Sequence, residues 1–262
     1  MTAPWSGVVL TGASGGIGRA LAAELAAPGV AMLLAGRDPD RLAAAADIAR
    51  ARGAAVETAE LDLRDADGLA ARLAAFDARH PVDLVVANAG ISAGRGPGAA
   101  FEAPGTMRRL VEVNLMGAVA TVEPLLPAMV VRGRGRIALM GSLAGLRPLP
   151  DMPAYSATKA ALRAWGTSLR GALAPHGVGV TVISPGFVTT PMAGRHRGFR
   201  PFEMPPDRAA RIIRRGLGRG EALITFPRGL AALIWLGNRL PPALSDRAIR
   251  AFRAEIDPDD MP

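Results

Sequence analysis

Short, nearly all-apolar runs alternate along the chain with Ala-rich stretches whose apolar residues recur at helical spacing. Residues 5–11 read as a first strand and 16–27 as a helix ended by Pro28-Gly29. A second apolar run covers 30–35. Residues 39–52 form a helix that stops at Gly53, 54–61 a third strand and 64–79 a third helix. The run at 82–87 is short and continuously apolar, as expected of a parallel strand buried on both faces. The next helix occupies much of 106–131, with Pro124 and Pro127 bending it. Residues 136–140 and 178–183 are two more strands, and 153–175 between them is mostly helical. This order predicts an α/β fold, a doubly wound, mainly parallel sheet with helices on both faces. Ligands of such sheets sit at the carboxyl ends of the strands, near the switch point. Residues 189–206, rich in Gly, Pro and Arg, read as a loop or lid; 206–219 follow as a basic helix and 222–226 as a last short strand. Residues 1–226 then make one domain, and 227–262 a C-terminal helical extension packed on it or at an interface.

Half of the residues are apolar and 21% are charged, enough for a buried core and against disorder. The absence of cysteine excludes disulfides and thiolate metal sites. His80, His176 and His196 have no metal-ligand spacing and read as structural or surface residues, so no metal is expected. The first residues lead straight into Val8-Val9-Leu10 without a secretory signal, and no uninterrupted apolar run is long enough to span a bilayer. A cytoplasmic protein is the expectation. The net charge of +8 would suit an acidic partner, but the arginines are scattered and aromatic residues make up 4%, too few for base stacking. A bias toward Arg and Ala explains the charge, and no nucleic-acid partner is expected.

Two segments carry chemistry. Thr11-Gly12-Ala13-Ser14-Gly15-Gly16-Ile17-Gly18 joins the first strand to the first helix. Glycines there let the backbone turn and approach a pyrophosphate, and the helix N-terminus offers N–H groups and a favourable dipole. An ordinary tight turn is the bland alternative. The second segment is Tyr155-Ser-Ala-Thr-Lys159, whose ends share one helix face. Tyrosine with its usual pKa of about 10 is a poor base near neutrality, and a neighbouring ammonium lowers that pKa. Tyr155 is the only tyrosine and Lys159 the only lysine among 31 basic residues. Chance placement four residues apart is a weak explanation, and the chemistry prefers a compact ammonium to a guanidinium fork.

The pattern T-G-x-x-x-G-x-G, with Asp62, Asn88-Ala89-Gly90, Tyr155-x-x-x-Lys159 and Pro185-Gly186, resembles the short-chain dehydrogenase/reductase family. The resemblance runs from about residue 8 to 191 and weakly to 226. It implies a Rossmann-type fold and hydride transfer between NADP(H) and a carbonyl or alcohol. By that resemblance Gly12, Gly16 and Gly18, with Thr11, Ser14, Gly15 and Ile17, hold the pyrophosphate. Asp62 and Leu63 meet the adenine, and Asn88, Ala89 and Gly90 line its pocket. Pro185, Gly186, Val188 and Thr190 lie on the nicotinamide side. Lys159 also reaches the ribose beside Tyr155. Ser142 steadies the reacting oxygen and Asn114 holds a relay water. Asp62 could instead be a turn or helix cap, Ser142 a turn residue and Asn114 a buried structural hydrogen bond.

Gly36 stands where many NAD enzymes place an acid, and Arg37 follows, so nothing repels a 2′-phosphate and a guanidinium can pair with it. NADP(H) is therefore preferred over NAD(H), although Gly15 occupies a position basic in many NADP-dependent relatives, and Arg37 could be a solvated loop residue. The substrate pocket should draw on 91–98, 143–152 and 187–200, with Leu146, Leu149, Met152, Phe187 and Met192 as an apolar lining. A hydrophobic carbonyl or alcohol is the small-molecule substrate expected. Alternatives are a 3-oxoacyl-thioester (carrier protein) reductase and a non-catalytic NADP(H)-binding module. A homodimer or homotetramer is implied through helices 106–131 and 153–175, where Ala157, Ala160, Ala161 and Ala164 allow close approach. Residues 227–242 include Leu230, Leu233, Ile234 and Trp235 at helical spacing between Arg228 and Arg239. They either cover the pocket or a subunit contact, or lie peripherally in a membrane interface.

Overall fold

The strands β1 (Gly7–Thr11), β2 (Ala31–Gly36) and β4 (Leu84–Ala87) are buried along their whole length. β3 (Ala55–Glu60) is different: most of it reaches solvent, and Glu57 accepts from Arg72 and Arg79 at 3.0 and 2.9 Å. An edge strand carrying charge resists pairing with another chain. With β5 (Gly135–Met140), β6 (Val178–Pro185), β7 (His196–Gly198), β8 (Leu223–Phe226) and β9 (Ala254–Ile256) the set of described strands is complete. The computed structural model describes residues 5–249 and 253–257. Seven strands form one sheet in the order β3-β2-β1-β4-β5-β6-β8, every adjacent pair parallel. The order reverses between β1 and β4, which opens a crevice beyond their carboxyl ends. This is the doubly wound Rossmann-type fold.

Alternation along each strand divides the core in two. Val8 and Leu10 face α1 (Gly16–Leu25), α2 (Pro39–Arg50) and α9 (Pro206–Gly218), while Val9 and Val85 face the other layer. That layer holds α3 (Ala66–Arg79), the helix Thr106–Arg132 and α7 (Pro153–Leu173). The side-chain caps are local. Asp38 accepts from Arg41 N at 2.9 Å before α2, and Asp65 from Gly68 N at 3.0 Å before α3. Asp65 therefore starts α3 two residues later than the sequence pattern suggests.

The helix Thr106–Arg132 runs as α4 (Thr106–Leu110), a π segment (Val111–Met116), α5 (Gly117–Val122), a 3-10 turn (Glu123–Leu125) and α6 (Leu126–Arg132). The turn absorbs Pro124, which cannot donate to an α-helical ladder. By length and composition this helix could cross a membrane, which the count of uninterrupted apolar residues does not reveal. Leu110, Val122, Leu125 and Met129 are nevertheless buried, with the last three in the core against the sheet, and core helices pass the same test.

Beyond β6 the structure departs from the sequence reading. The expected loop at 189–206 contains α8 (Pro191–Gly194) and β7. The C-terminal segment holds α10 (Arg228–Gly237) and α11 (Pro242–Ile249) and also β9, which pairs antiparallel with β7. Two three-residue strands about 60 residues apart leave no periodicity to read.

Candidate active site

A cavity of about 920 Å³ lies over the carboxyl ends of the central strands. At one end, the chain after β1 turns through Gly12, whose φ is +66° and whose added Cβ would stand 2.6 Å from Ala89 Cα. No larger residue fits that turn. Asn88 Nδ2 braces it by donating to Thr11 O and Gly12 O, both at 3.1 Å. The helix α1 then begins with no side-chain cap and no acid in its first turn, so its N-terminal N–H groups remain open to an anion. Ser14, Gly15, Gly16, Ile17 and Gly18 line the cavity there. A turn that only glycine permits and an uncapped helix end fit the diphosphate of a dinucleotide.

Farther along this end lie Gly36, Arg37, Asp62 and Leu63. Arg41, one helical turn after Arg37, also reaches the wall; the sequence reading passed over it. Asp62 accepts from Arg64 N at 2.9 Å and from its guanidinium, which holds the carboxyl below its ordinary range. Its turn role is thus present beside its place on the wall, while Asp65 takes the helix cap.

The other end gathers Ser142, Tyr155 and Lys159. Ser142 follows β5 and accepts from Ala144 N at 3.1 Å, capping a 3-10 turn. That turn packs on α7 so closely that a Cβ on Gly145 would lie 2.7 Å from Lys159 O. The approach sets Ser142 and Tyr155 on the same part of the cavity wall. Lys159 Nζ is buried, donates to Met140 O at 2.8 Å and stands 5.6 Å from the centre of the Tyr155 ring. Burial lowers the Lys159 pKa to about 8. Burial also raises the Tyr155 pKa, partly offset by the nearby Ser142 hydroxyl. The expectation of a lowered Tyr155 pKa is therefore corrected: burial shifts it upward.

Two expected site residues stand behind the wall. Thr11 is buried beneath the glycine turn, with its hydroxyl accepting from Ala89 N at 3.4 Å. Asn114 is buried in the π segment, accepts from Ile91 N at 2.7 Å and donates to Ile91 O at 2.9 Å and Thr158 Oγ1 at 3.2 Å. Asn88, Ala89, Gly90, Pro185, Gly186, Val188 and Thr190 all line the cavity.

On the substrate side, Leu149, Met152, Phe187 and Met192 line the wall, but Leu146 does not. Its carbonyl instead accepts from Asn238 Nδ2 at 2.9 Å. Leu230 and Ile234 of α10, a helix whose segment was expected to cover the pocket or a contact, and Ile256 of β9, which left no local signal, complete this wall. His196 also lines it, buried edge-on to Phe187 at 4.9 Å between ring centres, and burial lowers its pKa.

A profile of the family described as short chain dehydrogenase matches residues 6–200. The chain belongs to the short-chain dehydrogenase family. It is 41% identical over 247 residues to an uncharacterized oxidoreductase of Myxococcus xanthus, covering 94% of this chain and 96% of that one. It is 34% identical over 188 residues to a very-long-chain 3-oxoacyl-CoA reductase of Podospora anserina, covering 71% of this chain but only 55% of that relative. Among solved structures, a short-chain dehydrogenase from Sphingobium yanoikuyae in complex with NADPH is similar with a TM-score of 0.75 and 29% identity, covering 90% of this chain and 97% of that one. A short-chain dehydrogenase from Mycobacterium paratuberculosis bound to NAD gives 0.73 and 25%, covering 84% and 94%. This short-chain dehydrogenase is accordingly an oxidoreductase that uses a nicotinamide cofactor.

The single lysine permits a direct test of the buried ammonium. In protein labelled with ¹³C-lysine, the lone Cε signal should titrate with a midpoint of about 8. Because the folded pKa lies below the unfolded one, this group's contribution to stability rises with pH from about 8 to 10.5. A midpoint above 10 would contradict the desolvation account.

Proposed function

We propose that this short-chain dehydrogenase reduces apolar carbonyl compounds with NADPH, with Tyr155 as the acid. The observation that carries the reading is the assembly of Ser142, Tyr155 and Lys159 on one cavity with the glycine turn. A raised Tyr155 pKa keeps the phenol protonated at neutral pH, which suits a group that gives a proton to a carbonyl oxygen. Ser142 Oγ donates a hydrogen bond to the same oxygen as negative charge develops on it. The Lys159 charge favours departure of the phenolic proton at the moment of transfer. Asn114 acts as a positioning residue: it joins Ile91 to Thr158, whose hydroxyl donates to Tyr155 O at 2.8 Å. The nicotinamide, when bound, supplies the hydride. A non-catalytic binding module would need none of this assembly.

The preference for NADP(H) rests on Arg37 and Arg41 at the ribose end and on Gly36 in place of a carboxylate. The apolar substrate rests on Leu149, Met152, Met192 and the α10 side chains along the wall. A 3-oxoacyl thioester is a second reading, favoured by the likeness to the Podospora reductase. Turnover of simple ketones against acyl thioesters separates the two. Self-association is proposed through the outer faces of Thr106–Arg132 and α7, where Met107, Met116 and Ala157 are exposed.

Tyr155→Phe should lower turnover by about 10²- to 10⁴-fold while leaving NADPH binding nearly unchanged. Lys159→Arg should also fail, because a guanidinium fork does not fit the buried place of one ammonium. Substantial activity in Tyr155→Phe would remove the assignment of the acid.

Gly36→Asp with Arg37→Ile should shift preference from NADP(H) toward NAD(H) by at least tenfold in kcat/KM. A side chain at position 36 meets Ser14 Oγ, 2.8 Å from the ideal Cβ, so the serine must rotate to admit it. A wild type that already prefers NAD(H) would refute the premise.

Light scattering in dilute buffer should give the mass of a dimer or tetramer, and the mass of one chain would count against the proposed contact.

A further inference from the structure

The helix α10 is apolar except at its ends, yet none of its residues is buried. Leu230, Leu233 and Ile234 form part of the cavity wall, so one side of the helix belongs to the substrate site. Trp235 and Leu236 lie off that wall and are 60% and 58% exposed. Leu233 is on the wall and 61% exposed, which puts it at the rim. Met192 likewise lines the wall and reaches solvent. The apolar interior is therefore continuous with an apolar outer surface through α10.

Charge distinguishes among possible occupants of that surface. Arg228 and Arg239 stand at the two ends of the helix, and no Asp or Glu occurs from residue 222 to 245. The Arg239 guanidinium lies 3.2 Å from the centre of the Trp235 ring, a cation–π pair at the border of the apolar patch. A second copy docked through the same helix would bring arginine against arginine in either orientation, with no acid on the segment to offset them. An anionic bilayer surface matches both features: apolar side chains enter the acyl boundary while arginine and tryptophan remain at headgroup level. Ten residues make a helix about 15 Å long, half of what spanning requires, so it lies in the plane of the surface.

We propose that α10 docks this enzyme onto anionic membranes and that the cavity receives a long-chain aliphatic carbonyl directly from the lipid. The substrate half rests on the carbonyl-reductase reading above; the docking half does not.

Flotation with phosphatidylcholine vesicles, with and without phosphatidylserine, tests the docking. The wild type should co-float with the anionic vesicles and much less with the neutral ones. Trp235→Ser with Leu236→Ser, neither residue being on the cavity wall, should lower that binding at least tenfold. The same variant should reduce a water-soluble ketone as fast as wild type, which also shows that it folds, but reduce a long-chain ketone held in vesicles at least tenfold more slowly. If the wild type does not co-float at low salt, or the double variant co-floats equally well, docking through α10 is overturned. Loss of self-association in the double variant without any flotation of the wild type would assign the patch to a second copy and also overturn it. Flotation with no ketone turnover in any form would leave docking standing and defeat the carbonyl-reductase reading.

Discussion

Lys159 Nζ sits buried at the carboxyl end of the sheet, tied to Met140 O at 2.8 Å. An ammonium taken out of water is costly unless it is hydrogen-bonded, so the fold must supply partners there. It does so by packing the turn after β5 onto α7, where a glycine at 145 lets the two backbones meet. From that contact follows the placement of Ser142 beside Tyr155 on the wall, and burial disfavours the charged form of both Tyr155 and Lys159. Asn114 and Gly90 close the other side, since an added Cβ on Gly90 would come within 3.1 Å of Asn114 Oδ1 and 3.4 Å of Lys159 Nζ.

The far wall depends on a different kind of bond. Arg95 Nε pairs with Asp151 Oδ1 at 3.0 Å, largely shielded from solvent. The other carboxyl oxygen of Asp151 accepts from Ala254 N at 3.0 Å, and Ile256 N donates to Arg95 O at 2.9 Å. Through these partners β9 is drawn back across the molecule onto β7, and the last part of the chain becomes a wall of the substrate site. The cavity thus has two chemistries. Main-chain N–H groups, Arg37 and Arg41 line one end, while mainly apolar side chains from distant segments, together with Arg147, Arg195 and His196, line the other.

The parts legible in the sequence are those set by neighbours in the chain. The strand-to-helix turn with Gly12 and the Tyr155–Lys159 spacing are local, and the positions of both were readable. Arg37 could be placed at a strand end for the same reason, and Arg41 was within reach as its neighbour one turn later. His196 was not legible, because its place depends on β7 pairing with a strand 60 residues away. The direction of the Tyr155 shift was misread because spacing shows the ammonium but not how far the phenol is withdrawn from water.

Local rules therefore determined the parallel α/β sheet, its glycine turn and the Tyr155–Lys159 pair on one helix. Periodicity and helical spacing act over a few residues and do not depend on what packs above them. The tertiary structure alone decided that β9 joins the substrate wall, which of the pocket segments' side chains face it and how burial shifts each group. Those outcomes depend on contacts between β5 and α7, and between Asp151 and Ala254, whose partners no stretch of sequence reveals by itself.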